Sequence, residues 1–200
     1  MAIDVTEALP PRAAALSERL LAPLGPRWRH VEGVARRAGT LSGLASTEDR
    51  VAVVAAAWLH DVGYAPTVAV TGLHPLDGAR YLRNEGWPEL VVCLVAHHTG
   101  AEVEAEERGL TQELAEFDRP PEPLLDLVTT ADLTTSPDGD EVNAAQRLAE
   151  ILRRYPPDDP VHRAVTRSTP SLLAAADRVS RRLWQEHLSL SDVGLPDAPG

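Results

Sequence analysis

From Val51 to Leu59 every residue is apolar, and the run ends in His60 and Asp61. A helix that is apolar on all sides has no face to give to water, so it must lie at the centre of other elements. The run is far below the roughly 20 residues that a membrane span needs. The segment Asp49 to His60 is therefore read as the central buried helix of a soluble bundle, and whatever follows it is delivered to the edge of the core.

The rest of the chain supplies the surrounding helices. No run alternates strictly between apolar and polar residues, as a half-buried strand would. Helical spacing recurs at Arg12–Leu21, Pro75–Glu85, Pro88–His98, Pro123–Leu133, Val142–Arg154 and Ser171–His187. In His30–Leu41, the residues Val31, Val34, Ala35, Ala38 and Leu41 share one face. Gly25-Pro26, Gly86-Trp87-Pro88, Pro120-Pro121 and Pro156-Pro157 punctuate these patterns. The acidic stretch from Gly100 to Arg119 is read as a solvated connection with a short helix. The expected architecture is all-α, one domain over residues 1–188, with a disordered tail over 189–200.

Composition narrows the function. The 200 residues carry 30 acidic and 19 basic side chains, a net charge of -11. That balance argues against gripping a nucleic-acid polymer, which needs clustered positive charge. A small phosphorylated substrate stays compatible, because a metal or a few arginines reverse the field locally. Every basic residue is Arg, so Schiff-base lysines and a P-loop lysine are absent. The single cysteine, Cys93, sits in an apolar run and excludes internal disulfides and Cys-based zinc fingers. No stretch reaches transmembrane length and the start lacks a secretory signal, so the expected compartment is the cytoplasm.

The chemistry concentrates in the histidines. Of seven, five lie between positions 30 and 98, each at or beside a helix end: His30, His60, His74, His97 and His98. Asp61 follows His60, and Asp132 lies in a further apolar stretch. A carboxylate at the edge of a core is costly unless it is paired or metal-bound. The economical arrangement is that these ends converge on metal. Imidazole with carboxylate suits Fe, Mn, Zn, Co or Ni. Four or five His with two Asp exceed one tetrahedral zinc site and fit two ions sharing a bridging carboxylate and a bridging water. His162 and His187 lie beyond Pro-rich turns and are read as surface or packing residues.

The order His30, His60-Asp61, Asp132, with Leu59-His60-Asp61-Val62-Gly63 at its centre, resembles the HD-domain metal phosphohydrolase superfamily. His74 and His97-His98 resemble the additional ligands of its binuclear members. These include the cyclic-dinucleotide phosphodiesterases with a Gly-Tyr-Pro motif and the HD-type diadenosine tetraphosphate hydrolases. The likeness covers about Arg27 to Thr135. No Gly-Tyr-Pro follows His97-His98, which argues against cyclic-dinucleotide cleavage.

This resemblance implies two divalent ions and a metal-activated hydroxide that attacks a phosphoester or phosphoanhydride of a nucleotide or another small phosphorylated molecule. It assigns His30, His60, Asp61 and Asp132 to one ion, and Asp61, His74 and His97 or His98 to the other, with His60 and Asp61 at the catalytic centre. Arg27, Arg29 and Arg80 are the candidate phosphate forks. Thr99, Thr134 and Thr135 flank ligand positions and could donate to phosphate or cap a helix, with capping preferred, and Tyr64 is read as a residue of the pocket mouth. Two alternatives share the ligand count: a mixed-valent di-iron oxygenase, and a non-catalytic nucleotide-sensing module. The partners expected are a small phosphorylated substrate and at most a second copy of the chain, with neither nucleic acid nor membrane.

Overall fold

A computed structural model describes residues 8–192, and their regular structure is helical throughout. Ten α-helices follow one another: α1 Leu9–Leu21, α2 Pro26–Leu41, α3 Thr47–Leu59, α4 His74–Asn84, α5 Glu89–His97, α6 Ala101–Arg108, α7 Thr111–Leu114, α8 Glu122–Leu133, α9 Ala144–Arg154 and α10 Pro160–Asp192. Among the described residues, β-structure is limited to one isolated bridge between Thr135 and Glu141.

The apolar run is the hub. The side chain of Ser46 caps α3 by accepting from the Asp49 N–H at 3.1 Å, and Glu48 and Asp49 complement the helix dipole in its first turn. Ala52, Ala55, Ala56 and Ala57 are all buried. These small residues let α1, α2, α5 and α8 pack closely around α3. Leu59, Leu94 and Leu127 are fully buried in the same core. Helix α4 pairs with α5 across a turn at Gly86, whose φ of 71° suits a residue without Cβ. The last helix, α10, lies across α6, α8 and α9. A second, smaller core of Leu133, Ala144, Leu148 and Leu172 joins the end of α8 to α9 and α10.

Three sequence expectations change. The acidic stretch after Gly100 is folded onto the body as α6 and α7, with Ala105, Leu114 and Phe117 buried. Its charges mask a pair of short apolar stripes. The final helix begins at Pro160 rather than Ser171 and continues through Pro170. The hydroxyls of Ser168 and Thr169 reach back to the carbonyls of Ala164 and Val165, in the turn before that proline. The same helix reaches Asp192, so the tail expected from residue 189 begins as helix; residues 193–200 of that expected tail lie outside the described residues. No helix of the described residues is long and apolar enough to cross a membrane.

Candidate metal centre

Four helices and one turn converge on one cleft. His30 projects from the second turn of α2, His60 and Asp61 leave the end of α3, His74 opens α4, His98 follows α5, and Asp132 sits in the last turn of α8. His30, His60, Asp61 and His98 are at most 3% exposed. Two groups of potential ligand atoms form: His30, His60 and Asp132, and Asp61, His74 and His98.

Asp61 stands between the groups. Its Oδ2 lies 3.4 Å from His60 Nε2 and its Oδ1 3.4 Å from His74 Nε2. His74 Nε2 and His98 Nε2 are 3.2 Å apart, and His30 Nε2 and Asp132 Oδ1 are 3.0 Å apart. Metal bonds of about 2.0–2.2 Å give ligand-to-ligand edges of roughly 2.9–3.5 Å. All four separations fall in that range.

The imidazoles are aimed by backbone carbonyls. The Nδ1 atoms of His30, His60 and His98 lie 3.0, 2.8 and 2.7 Å from the carbonyl oxygens of Ser136, Ala57 and Val95. Nδ1–H donation to a carbonyl leaves Nε2 with its lone pair facing the cleft, which is the tautomer a metal ligand needs. His60 Nε2 is buried without a hydrogen-bond partner. Buried polar atoms are ordinarily satisfied. The donor set therefore fits a divalent metal on the structure's own terms.

Charge is unevenly distributed. Burial works against ionising Asp61, but Arg27 at 2.7 Å, with His60 and His74, holds its carboxyl well below the usual range. Burial likewise opposes ionisation of Asp132, but the His30 hydrogen bond together with the His60 and His30 charges outweighs it and holds the carboxyl well below the usual range. With no ion bound, burial disfavours charge on His60 while Asp61 and Asp132 push its pKa up to about 9. Burial carries His74 and His98 the other way, toward neutral rings. Arg27 also lies over the Tyr64 ring at 3.9 Å, and Tyr64 stacks on His74 at 4.1 Å. Tyr64 thus lines the cleft, as expected.

Some expected residues lie elsewhere. His97 faces away from both groups: its Nε2 donates to the Phe117 carbonyl at 3.0 Å, and its Nδ1 lies 3.3 Å from Glu102. Of the adjacent pair, the structure brings His98 to the cluster. Arg29 pairs with Asp138 and Arg80 with Glu116 at the surface, and neither lines the cleft. The reason is helical phase. Arg27 is three residues before His30 and shares its face, whereas Arg29 is turned by about 100° from His30 and Arg80, six residues after His74, by about 120° from it. Thr99 does not cap a helix with its hydroxyl: it adopts φ 43° and its Oγ1 is buried without a partner in the cleft. Thr134 and Thr135 bond backward to the Thr130 and Ala131 carbonyls at the end of α8.

Sequence reasoning missed the wall opposite the cluster. Glu104 from α6, Arg147 and Arg154 from α9, and Tyr155 all line the same cleft. Nothing in their local sequence sets them apart; only the crossing of α10 over α6 and α9 brings them there. Burial raises the pKa of Glu104 against the pull of Arg108.

The family described as HD domain matches residues 27–136, more than half of the chain. No curated protein and no solved structure matches.

Proposed function

The chain belongs to the HD-domain family, which consists largely of metal-dependent hydrolases, and from that premise we propose that it cleaves a phosphoester or phosphoanhydride bond of a nucleotide or another small phosphorylated molecule. The observation that carries the reading is Asp61, one carboxylate facing two groups of ligand atoms through its two oxygens. His30, His60 and Asp132 would hold one divalent ion, His74 and His98 the other, with Asp61 shared. A metal pair there supplies a nucleophile ionised near neutral pH and neutralises charge gathering on the phosphoryl oxygens.

The remaining work belongs to the chain's own side chains. The carbonyls of Ser136, Ala57 and Val95 fix the three rings, so the donors do not reorganise as the substrate arrives. Arg27 clamps Asp61; burial works against its charge, but pairing with that carboxylate keeps it charged beside the position a phosphoryl group would take. Tyr64 covers His74 on the open side and limits the approach of bulk water.

The test is phosphate release from a panel of nucleotides, dinucleoside polyphosphates and sugar phosphates by the manganese-reconstituted protein. Turnover should fall by at least about a hundredfold in Asp61→Ala, the scale of losing an essential charge-stabilising group, while circular dichroism shows a retained helical fold. Turnover equal to the wild type in that variant would overturn the assignment. Metal bound with no phosphate released from any member of the panel would overturn hydrolysis.

A further inference from the structure

Arg147 is only 7% exposed, lies in the metal cleft and has a buried Nε–H without a partner. A buried guanidinium donor left unsatisfied is costly, and such a group in a cleft is expected to serve a ligand. Its one close ionic partner, Glu150, is shared: Arg147 Nη1 donates to Oε2, and Arg154 donates to the same carboxylate at 2.7 and 3.0 Å. Two guanidinium charges thus face one carboxylate, and the Glu104 carboxylate on the same wall is matched by Arg108 at 2.7 Å, so the wall keeps a net positive charge. Across the cleft, the Thr99 hydroxyl is the second buried donor without a partner. By contrast, Arg27 already donates to Asp61.

We propose that Arg147, with Arg154 beside it, forms an anion subsite for a second phosphate of the substrate, so that the substrate class is a di- or polyphosphate rather than a simple monoester. The subsite rests on the reading that a phosphoryl group is held at the His/Asp cluster. It comes from α9, beyond the residues 27–136 that match the family, so it is a property of this chain. Glu150 holds both guanidiniums in place and lowers their combined charge. Tyr155, next in sequence to Arg154, is held through its carbonyl, which accepts from His162 Nδ1 at 2.9 Å, and gives the subsite a fixed floor.

The probes are methylphosphonate and methylenediphosphonate, one and two phosphonate groups respectively, neither of them cleaved. Their dissociation constants are measured by calorimetry on the manganese-loaded wild type, Arg147→Met and Glu150→Gln. The wild type should bind the diphosphonate more tightly. Arg147→Met should weaken the diphosphonate at least tenfold and leave methylphosphonate within twofold. Equal effects on both probes, or none, would overturn the subsite. Glu150→Gln removes the neutralising charge and should tighten the diphosphonate severalfold, an effect that a purely structural role would not produce. Should Arg147→Met fail to fold, Glu150→Gln decides: no tightening overturns the subsite. Arg147-dependent binding of the diphosphonate without any binding of methylphosphonate would support the subsite while overturning the phosphoryl position at the cluster.

Discussion

Asp77 shows what a single side chain does here. It sits in the first turn of α4, 3% exposed, and its carboxylate accepts from the N–H groups of Val70, Thr71 and Gly72 at 2.8, 2.9 and 3.3 Å, and from the Thr71 hydroxyl at 2.8 Å. It ties down the loop that delivers His74. Asp77→Ala should cost about 1–3 kcal/mol in urea unfolding, the scale of leaving buried donors without an acceptor. Glu102 is a pH-dependent case. His97, and with it Arg119, holds its carboxyl down to about 2 against partial burial. A depressed carboxyl contributes stability above its unfolded value near 4.5, lost as pH falls through about 2. Glu102→Gln should therefore lower stability near pH 7, where the contribution is fully present, and flatten the acid limb of the stability curve between those values. An acid limb as steep as the wild type's would contradict this. Glu102 is 44% exposed, so the effect is reduced by solvent screening.

Between elements, two glycines set how closely the ligand-bearing helices approach. A Cβ at Gly63 would lie 2.0 Å from the His74 carbonyl oxygen, and one at Gly33 would lie 2.5 Å from that of Gly139. Gly63 lets the turn after His60-Asp61 dock on the start of α4, and Gly33 lets the loop bearing Ser136 lie against α2. Gly63→Ala should destabilise the protein by about 1–3 kcal/mol, as overpacking does, and should reduce metal occupancy by displacing His74. Wild-type stability and occupancy would contradict the close approach. The convergence of the His/Asp cluster was legible in sequence because polar residues ending an apolar helix must find partners at the core edge. The choice between His97 and His98 was not. The helix ends at His97, and His98 has extended backbone at φ -63° and ψ 151°, so helical phase alone does not place the second ring. Arg29 and Arg80 were misplaced because nearness in sequence to a ligand is not nearness in helical phase.

At the scale of the molecule, the segment matching the family supplies the His/Asp cluster and Glu104, and the chain beyond it completes the opposite wall. Residues 27–136 carry the whole His/Asp cluster, whereas Arg147, Arg154 and Tyr155 arrive through α9 and its small core against α8 and α10. Long-range packing of this kind leaves no local pattern, which is why that wall was invisible in sequence while the central helix was plain. Metal binding tests the whole arrangement at once, since the ligands come from α2, α3, α4, α8 and the turn after α5. The most direct measurement is the manganese-to-protein ratio at equilibrium dialysis for the wild type, His97→Ala and His98→Ala. Two ions per chain are expected in the wild type, an unchanged ratio in His97→Ala, and loss of at least one ion in His98→Ala. A ratio lowered by His97→Ala and untouched by His98→Ala, with both variants folded, would contradict this.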